Sequence, residues 1–107
     1  MFERGNVEIY VNGKRADSDA LIGLSSSDYS PAVFESLKSY RGVIFRLEKH
    51  LNRLFESAKT VGLKLPKTRA QLIKELEICT ARHRDQDLFL RLGVNERNSY
   101  VFVLKRE

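Results

Sequence analysis

The strand-like segments of this chain come with tight turns, and its two helix-like segments follow one another with no strand between them. Val7-Glu8-Ile9-Tyr10-Val11 alternates and is β-branched. Asn12-Gly13 then supplies the two positive-φ positions of a type I′ turn that returns through Lys14-Arg15-Ala16. Val33 to Arg46 predicts a second hairpin turning at Arg41-Gly42, in which VFESLKSY meets VIFR. Leu88 to Val94 and Tyr100 to Lys105 predict two more strands, joined through Asn95-Glu96-Arg97-Asn98. Hairpin turns make antiparallel neighbours, whereas a parallel pair needs a long crossover. The order therefore predicts an α+β fold, an antiparallel sheet with two helices packed on one face.

Between the second hairpin and the last strands, the spacing predicts both helices. Leu47, Leu51, Leu54, Phe55, Ala58 and Val61 fall on one stripe at the helical period, and Gly62 stands where a left-handed C-terminal cap belongs. Pro66 ends the connection, and Thr68-Arg69-Ala70-Gln71 has the spacing of a capping box. Leu72, Ile73, Leu76 and Cys79 or Thr80 form the apolar face of the second helix. The segment from Asp17 to Pro31 reads as loop, broken by Ser25-Ser26-Ser27-Asp28 and Pro31.

At 107 residues the whole chain, 1–107, reads as one domain. No apolar run approaches the ~20 residues of a membrane span, and the N-terminus lacks the apolar region of a signal peptide. The single cysteine, Cys79, has no internal partner, and the histidines His50 and His83 stand far apart in sequence, so no metal cluster is indicated. A reducing cytoplasm is the expected compartment. The net charge of +5 would suit a polyanion, but 19 basic residues are interleaved with 14 acidic ones. A noncatalytic nucleic-acid-binding domain is thus the weaker class of reading. By sequence it also lacks the paired exposed aromatics on a basic strand that single-strand readers need.

A few polar side chains could carry chemistry, and each also has a plain structural reading. Arg53 lies about 140° from the apolar stripe of its helix on an ideal wheel. It is either a solvated arginine or a guanidinium reaching an oxyanion, for which its planar donors are suited. In Leu88–Val94 the period-2 rule sets four apolar side chains on one face and Phe89, Arg91 and Gly93 on the other. That second face is solvent side or a carboxylate pocket. By spacing alone Phe34 is a core or cross-strand residue, His50 a structural residue on the helix shoulder, and Cys79 a small core residue.

The stretch VFESLKSYRGVIFRLEKHLNRLFESAK closely resembles the N-terminal domain of class IV aminotransferases, the fold type IV pyridoxal-phosphate enzymes that include branched-chain aminotransferases. HLNRLFESAK resembles the family's H-x-x-R-L followed by S-A-K, which implies that Arg53 binds the phosphate of pyridoxal 5′-phosphate. The family's VFE motif implies that Phe34, with Tyr29 five residues earlier, walls an apolar side-chain pocket. FLR resembles the strand whose aromatic and arginine stand near the substrate carboxylate, which points to Phe89 and Arg91. Phe89 stands where tyrosine is common and Leu92 where proline is usual. Pro31 also replaces part of the family's glycine-rich turn.

The resemblance implies an enzyme that moves the amino group of leucine, isoleucine or valine to 2-oxoglutarate and is a homodimer when whole. It also implies that the lysine holding the cofactor lies in a second, C-terminal domain, beyond the 107 residues here. No catalytic residue is therefore assigned in this chain, and by itself it is expected to be inactive. Lys38, Lys49 and Lys59 lie on polar faces, unlike the desolvated site a catalytic lysine needs. On the same fold, aminodeoxychorismate lyase and D-amino-acid aminotransferase are the alternatives.

Overall fold

The computed structural model describes residues 7–16 and 32–105. Tyr29 lies outside the described residues. The elements in chain order are β1 (Val7–Val11), β2 (Lys14–Ala16), β3 (Val33–Tyr40), β4 (Val43–Ile44), α1 (Leu47–Thr60), α2 (Arg69–Ala81), β5 (Leu88–Val94) and β6 (Ser99–Lys105). The strands form one sheet in the order β2-β1-β6-β5-β3-β4, and every neighbouring pair is antiparallel. This is the α+β architecture expected from the order of the periodicities. The first and last described strands, β1 and β6, pair with one another, and β5 joins them to β3.

Alternation decides which side chains enter the core. On β3 the burial pattern is strictly two-fold, with Val33, Glu35, Leu37 and Ser39 inward. Leu88, Leu90, Leu92 and Val94 of β5 join them, as do Val101 and Val103 of β6 and Tyr10 of β1. Leu51, Leu54 and Ala58 of α1 and Leu72, Leu76 and Cys79 of α2 close over this face. Each fully buried leucine contributes roughly 1.5–3 kcal/mol relative to leaving it in water.

The local signals behave as their chemistry requires. Asn12 and Gly13 both take positive φ (54° and 83°), as do Arg41 and Gly42 (49° and 87°), so both hairpins turn through two left-handed residues. Thr68 accepts from the Gln71 amide at 3.2 Å while the Gln71 side chain accepts from the Thr68 amide at 2.8 Å. Past α1, the Gly62 amide donates to Lys59 O and the Leu63 amide to Ala58 O, the paired bonds of a Schellman motif.

Two boundaries differ from the sequence expectation. The second hairpin was expected to run to Arg46, but β4 stops at Ile44. Arg46 adopts φ 53° and ψ 41°, which takes the chain out of the extended region and directly into α1. Val61 was expected on the buried stripe of α1. The helix ends one residue earlier, and Val61, at the cap, is exposed.

Candidate functional site

The sheet face away from the helices carries an unusual load of exposed apolar side chains. Register places Ile9, Phe102, Arg91 and Ser36 in one row across four strands. A parallel row runs through Val7, Leu104, Phe89 and Lys38. Phe34 lies opposite Gly93, which has no side chain to cover it, and remains 49% exposed. Phe89 and Phe102 are also more than a third exposed. The Arg91 guanidinium stacks 4.1 Å from the centre of the Phe34 ring, and the Lys38 ammonium sits 5.5 Å from that of Phe89. A shallow depression of about 550 Å³ lies over part of this surface, lined by Val7, Ser36, Phe89, Arg91, Phe102 and Leu104 and bordered outside its lining by Phe34 and Lys38. Aromatic walls with fixed cations suit a ligand that is apolar at one end and anionic at the other.

Across β3, on the helix side, a second set of groups meets. Glu35 is 6% exposed, although its sequence neighbours Phe34 and Ser36 face the other way. His50 Nδ1 lies 2.9 Å from Glu35 Oε1, and Arg53 Nε lies 3.6 Å from the same oxygen. His50 and Arg53 are three residues apart on α1 and so share one side of the helix. The Arg53 side chain is 72% exposed. Glu35 is its only partner among the described residues. An exposed guanidinium whose outer donors are uncommitted fits a phosphate group, so this chain's residues are compatible with phosphate capture.

A model of the amino-transferase class IV family matches residues 32–103. The chain belongs to that family. It is 33% identical over 91 residues to a Methanocaldococcus jannaschii protein that carries the name of a branched-chain-amino-acid aminotransferase, covering 82% of this chain and 32% of that one. A branched-chain amino acid aminotransferase from T.th., solved with pyridoxamine 5′-phosphate, superposes with a TM-score of 0.68. Its identity is 21%, and the match covers 94% of this chain and 40% of that chain. The 4-amino-4-deoxychorismate lyase of Pseudomonas aeruginosa gives a TM-score of 0.61 at 24% identity, covering 92% of this chain and 39% of that one. The chain thus spans about a third of the curated relative, and its fold is that of the N-terminal domain of fold type IV enzymes.

Of the residues singled out in this class IV chain by sequence, Phe34, Phe89 and Arg91 come together on the open sheet face. Phe34 is not a core residue: alternation turns it away from the helices. Arg53 stands apart from them, on the helix side, and the two groups approach one another through the adjoining residues Phe34 and Glu35. Glu35 itself went unremarked as a site residue, although the period-2 pattern set by Val33 and Leu37 sends its carboxylate inward. His50 is the structural residue expected, now with a defined partner.

Two further buried carboxylates tie elements together. Glu8 accepts from Tyr10 at 3.1 Å and contacts His83 Nε2 at 2.7 Å. Burial opposes its ionisation most strongly. Even so, the His83 and Tyr10 hydrogen bonds and the charges of His83 and Arg15 together hold it below its ordinary 4.5. Glu75 receives Lys67 Nζ at 2.6 Å, and Lys67 also donates to Asn12 Oδ1 at 2.8 Å and Ser99 Oγ at 2.7 Å. Cys79 lies beside these groups, and its thiol is pushed up to about 12 by burial and then by the Glu75 and Glu8 charges.

Proposed function

We propose that this chain is the small N-terminal domain of a pyridoxal-phosphate aminotransferase that transfers the amino group of branched-chain amino acids to 2-oxoglutarate. The observation that carries this reading is the exposed Arg53 guanidinium with uncommitted outer donors, set across one strand from an aromatic face bearing a cation. Arg53 grips the cofactor phosphate, and Phe34 and Phe89 wall the substrate's aliphatic side chain. Arg91, stacked on Phe34, faces the carboxylate end of the substrate. Tyr29 is proposed as a second wall of the same pocket. Bound pyridoxal phosphate supplies the electron sink that lets an amino group change carriers. The lysine that carries it belongs to the chain's own C-terminal domain, and the complete enzyme works as a homodimer in the cytoplasm.

The similarity to the Pseudomonas aeruginosa lyase supports a second reading, in which the same domain serves aminodeoxychorismate cleavage. Apolar pockets discriminate weakly, since each extra methylene contributes only ~1 kcal/mol.

One experiment separates these readings. The chain is combined with a separately expressed lysine-bearing domain and pyridoxal phosphate, and leucine–2-oxoglutarate transamination is followed. Activity present only in the mixture, and lost on Arg53→Ala, is the expected result. A folded, cofactor-loaded complex that is silent with leucine but cleaves aminodeoxychorismate would favour the lyase. Failure to retain cofactor in any combination would end both readings.

A further inference from the structure

We propose that Glu35 is the positioning residue for Arg53: its buried carboxylate holds the guanidinium by the Nε edge and leaves both Nη groups to an anion. This rests on Arg53 being the phosphate ligand, and it adds how that ligand is aimed. A carboxylate only 6% exposed needs partners, because an isolated buried charge is strongly disfavoured. Both of its partners among the described residues come from one side of α1 and meet the same oxygen, His50 Nδ1 at 2.9 Å and Arg53 Nε at 3.6 Å. His50 therefore restrains Oε1, and Oε1 in turn faces the arginine. Arg53 thus meets the carboxylate through Nε in an ion pair at 3.6 Å, while 72% of its side chain is in solvent. The two Nη groups, which meet no partner among the described residues, can make two parallel bonds to a phosphate.

Two effects of Glu35 on anion binding have opposite signs. Its negative charge weakens the pull of Arg53 on a dianion, an effect that water damps because the guanidinium lies mostly in solvent. Its hold on Nε removes rotamer freedom that an anion would otherwise have to restrict on binding. We take the second to win, since the contact is to the inner nitrogen and neither Nη group meets a partner among the described residues. The sign of a single substitution then decides the question. Replacing Glu35 with glutamine removes the charge while keeping the shape, so a purely electrostatic role predicts tighter anion binding and a positioning role predicts weaker binding.

The test uses the 107-residue chain and inorganic phosphate as the probe, with side-chain ¹⁵N spectra reading the Arg53 Nε–H. In the wild type, Arg53 Nε–H is expected to be resolved, slow to exchange and shifted by phosphate. Glu35→Gln is expected to weaken phosphate affinity by about twofold to tenfold, the range set by immobilising one arginine side chain. Its Nε–H is expected to merge with those of the exposed arginines. Unchanged or tighter phosphate binding by a folded Glu35→Gln chain would overturn the proposal. So would a wild-type Arg53 Nε as mobile as any exposed arginine, a measurement that needs no variant and stands even if Glu35→Gln fails to fold. Arg53→Ala separates the two levels. Undiminished phosphate binding there removes the phosphate-ligand reading itself, whereas loss there with no weakening in Glu35→Gln removes the positioning role alone.

Discussion

Glu8, Glu35 and Glu75 are each less than a tenth exposed, and each is met by a basic side chain from outside its own element. For Glu8 the consequence can be measured as a pH dependence. Its folded pKa is lowered from 4.5, so the stability it contributes is complete above that value and lost as pH falls through the folded one. Urea midpoints are expected to fall between about pH 6 and about pH 3, with a shallower fall in Glu8→Gln. Parallel curves for the two chains would remove Glu8 from the account. Cys79 gives a second residue-scale prediction. With its thiol pushed up to about 12, little thiolate exists near neutrality. A disulfide reagent is expected to modify the native chain no faster than the chain opens, and a fast native reaction would contradict the burial.

Among the elements, the turns and caps were the most legible in sequence because they are local chemistry. Asn12-Gly13, Gly62 and the Thr68–Gln71 pair each specify a backbone geometry within four residues. The end of β4 was not legible, because nothing in the residue type of Arg46 announces a left-handed conformation. That conformation is uncommon for a side chain with a Cβ, so tertiary packing of α1 is what selects it. Gly13 and Gly62 make a matched pair for testing such constraints, since both hold positive φ. A Cβ at Gly13 would meet Glu75 Cγ at 3.2 Å, while one at Gly62 would meet nothing within 4 Å. Gly62→Ala is expected to cost about 1–2 kcal/mol from conformation alone, and Gly13→Ala more, as read by denaturant midpoints. Equal losses would mean that the Glu75 side chain yields freely. Thr68→Ala, which opens the capping box, is expected to cost about 1 kcal/mol.

For the molecule as a whole, the sheet order sets where stability resides. β5 and β6 are flanked on both sides, whereas β2 and β4 are short and lie at the margins. Amides of β5 and β6 are expected to exchange only on global opening, and those of β4 first; similar protection across the sheet would refute this. The site was legible only in part, and for a geometric reason. Period-2 alternation tells which residues share a face, so Phe89 and Arg91 could be paired from sequence, and so could the inward direction of Glu35. It cannot tell that α1 would bring Arg53 to the far side of the strand that carries Phe34. That relation depends on how a helix crosses a sheet, which no local pattern encodes.

The Lys67 ammonium also has a role in time. Two of its three acceptors, Asn12 and Ser99, lie 55 and 32 residues away along the chain, on the first hairpin turn and the last strand. Such a clasp can close only after both ends of the domain have already been brought home. Interactions formed that late are absent from the folding transition state, so their removal leaves the refolding rate alone and quickens unfolding. Lys67→Met is therefore expected to raise only the unfolding arm of a stopped-flow chevron. The lysine acts as a latch on the finished domain, governing how long it stays shut.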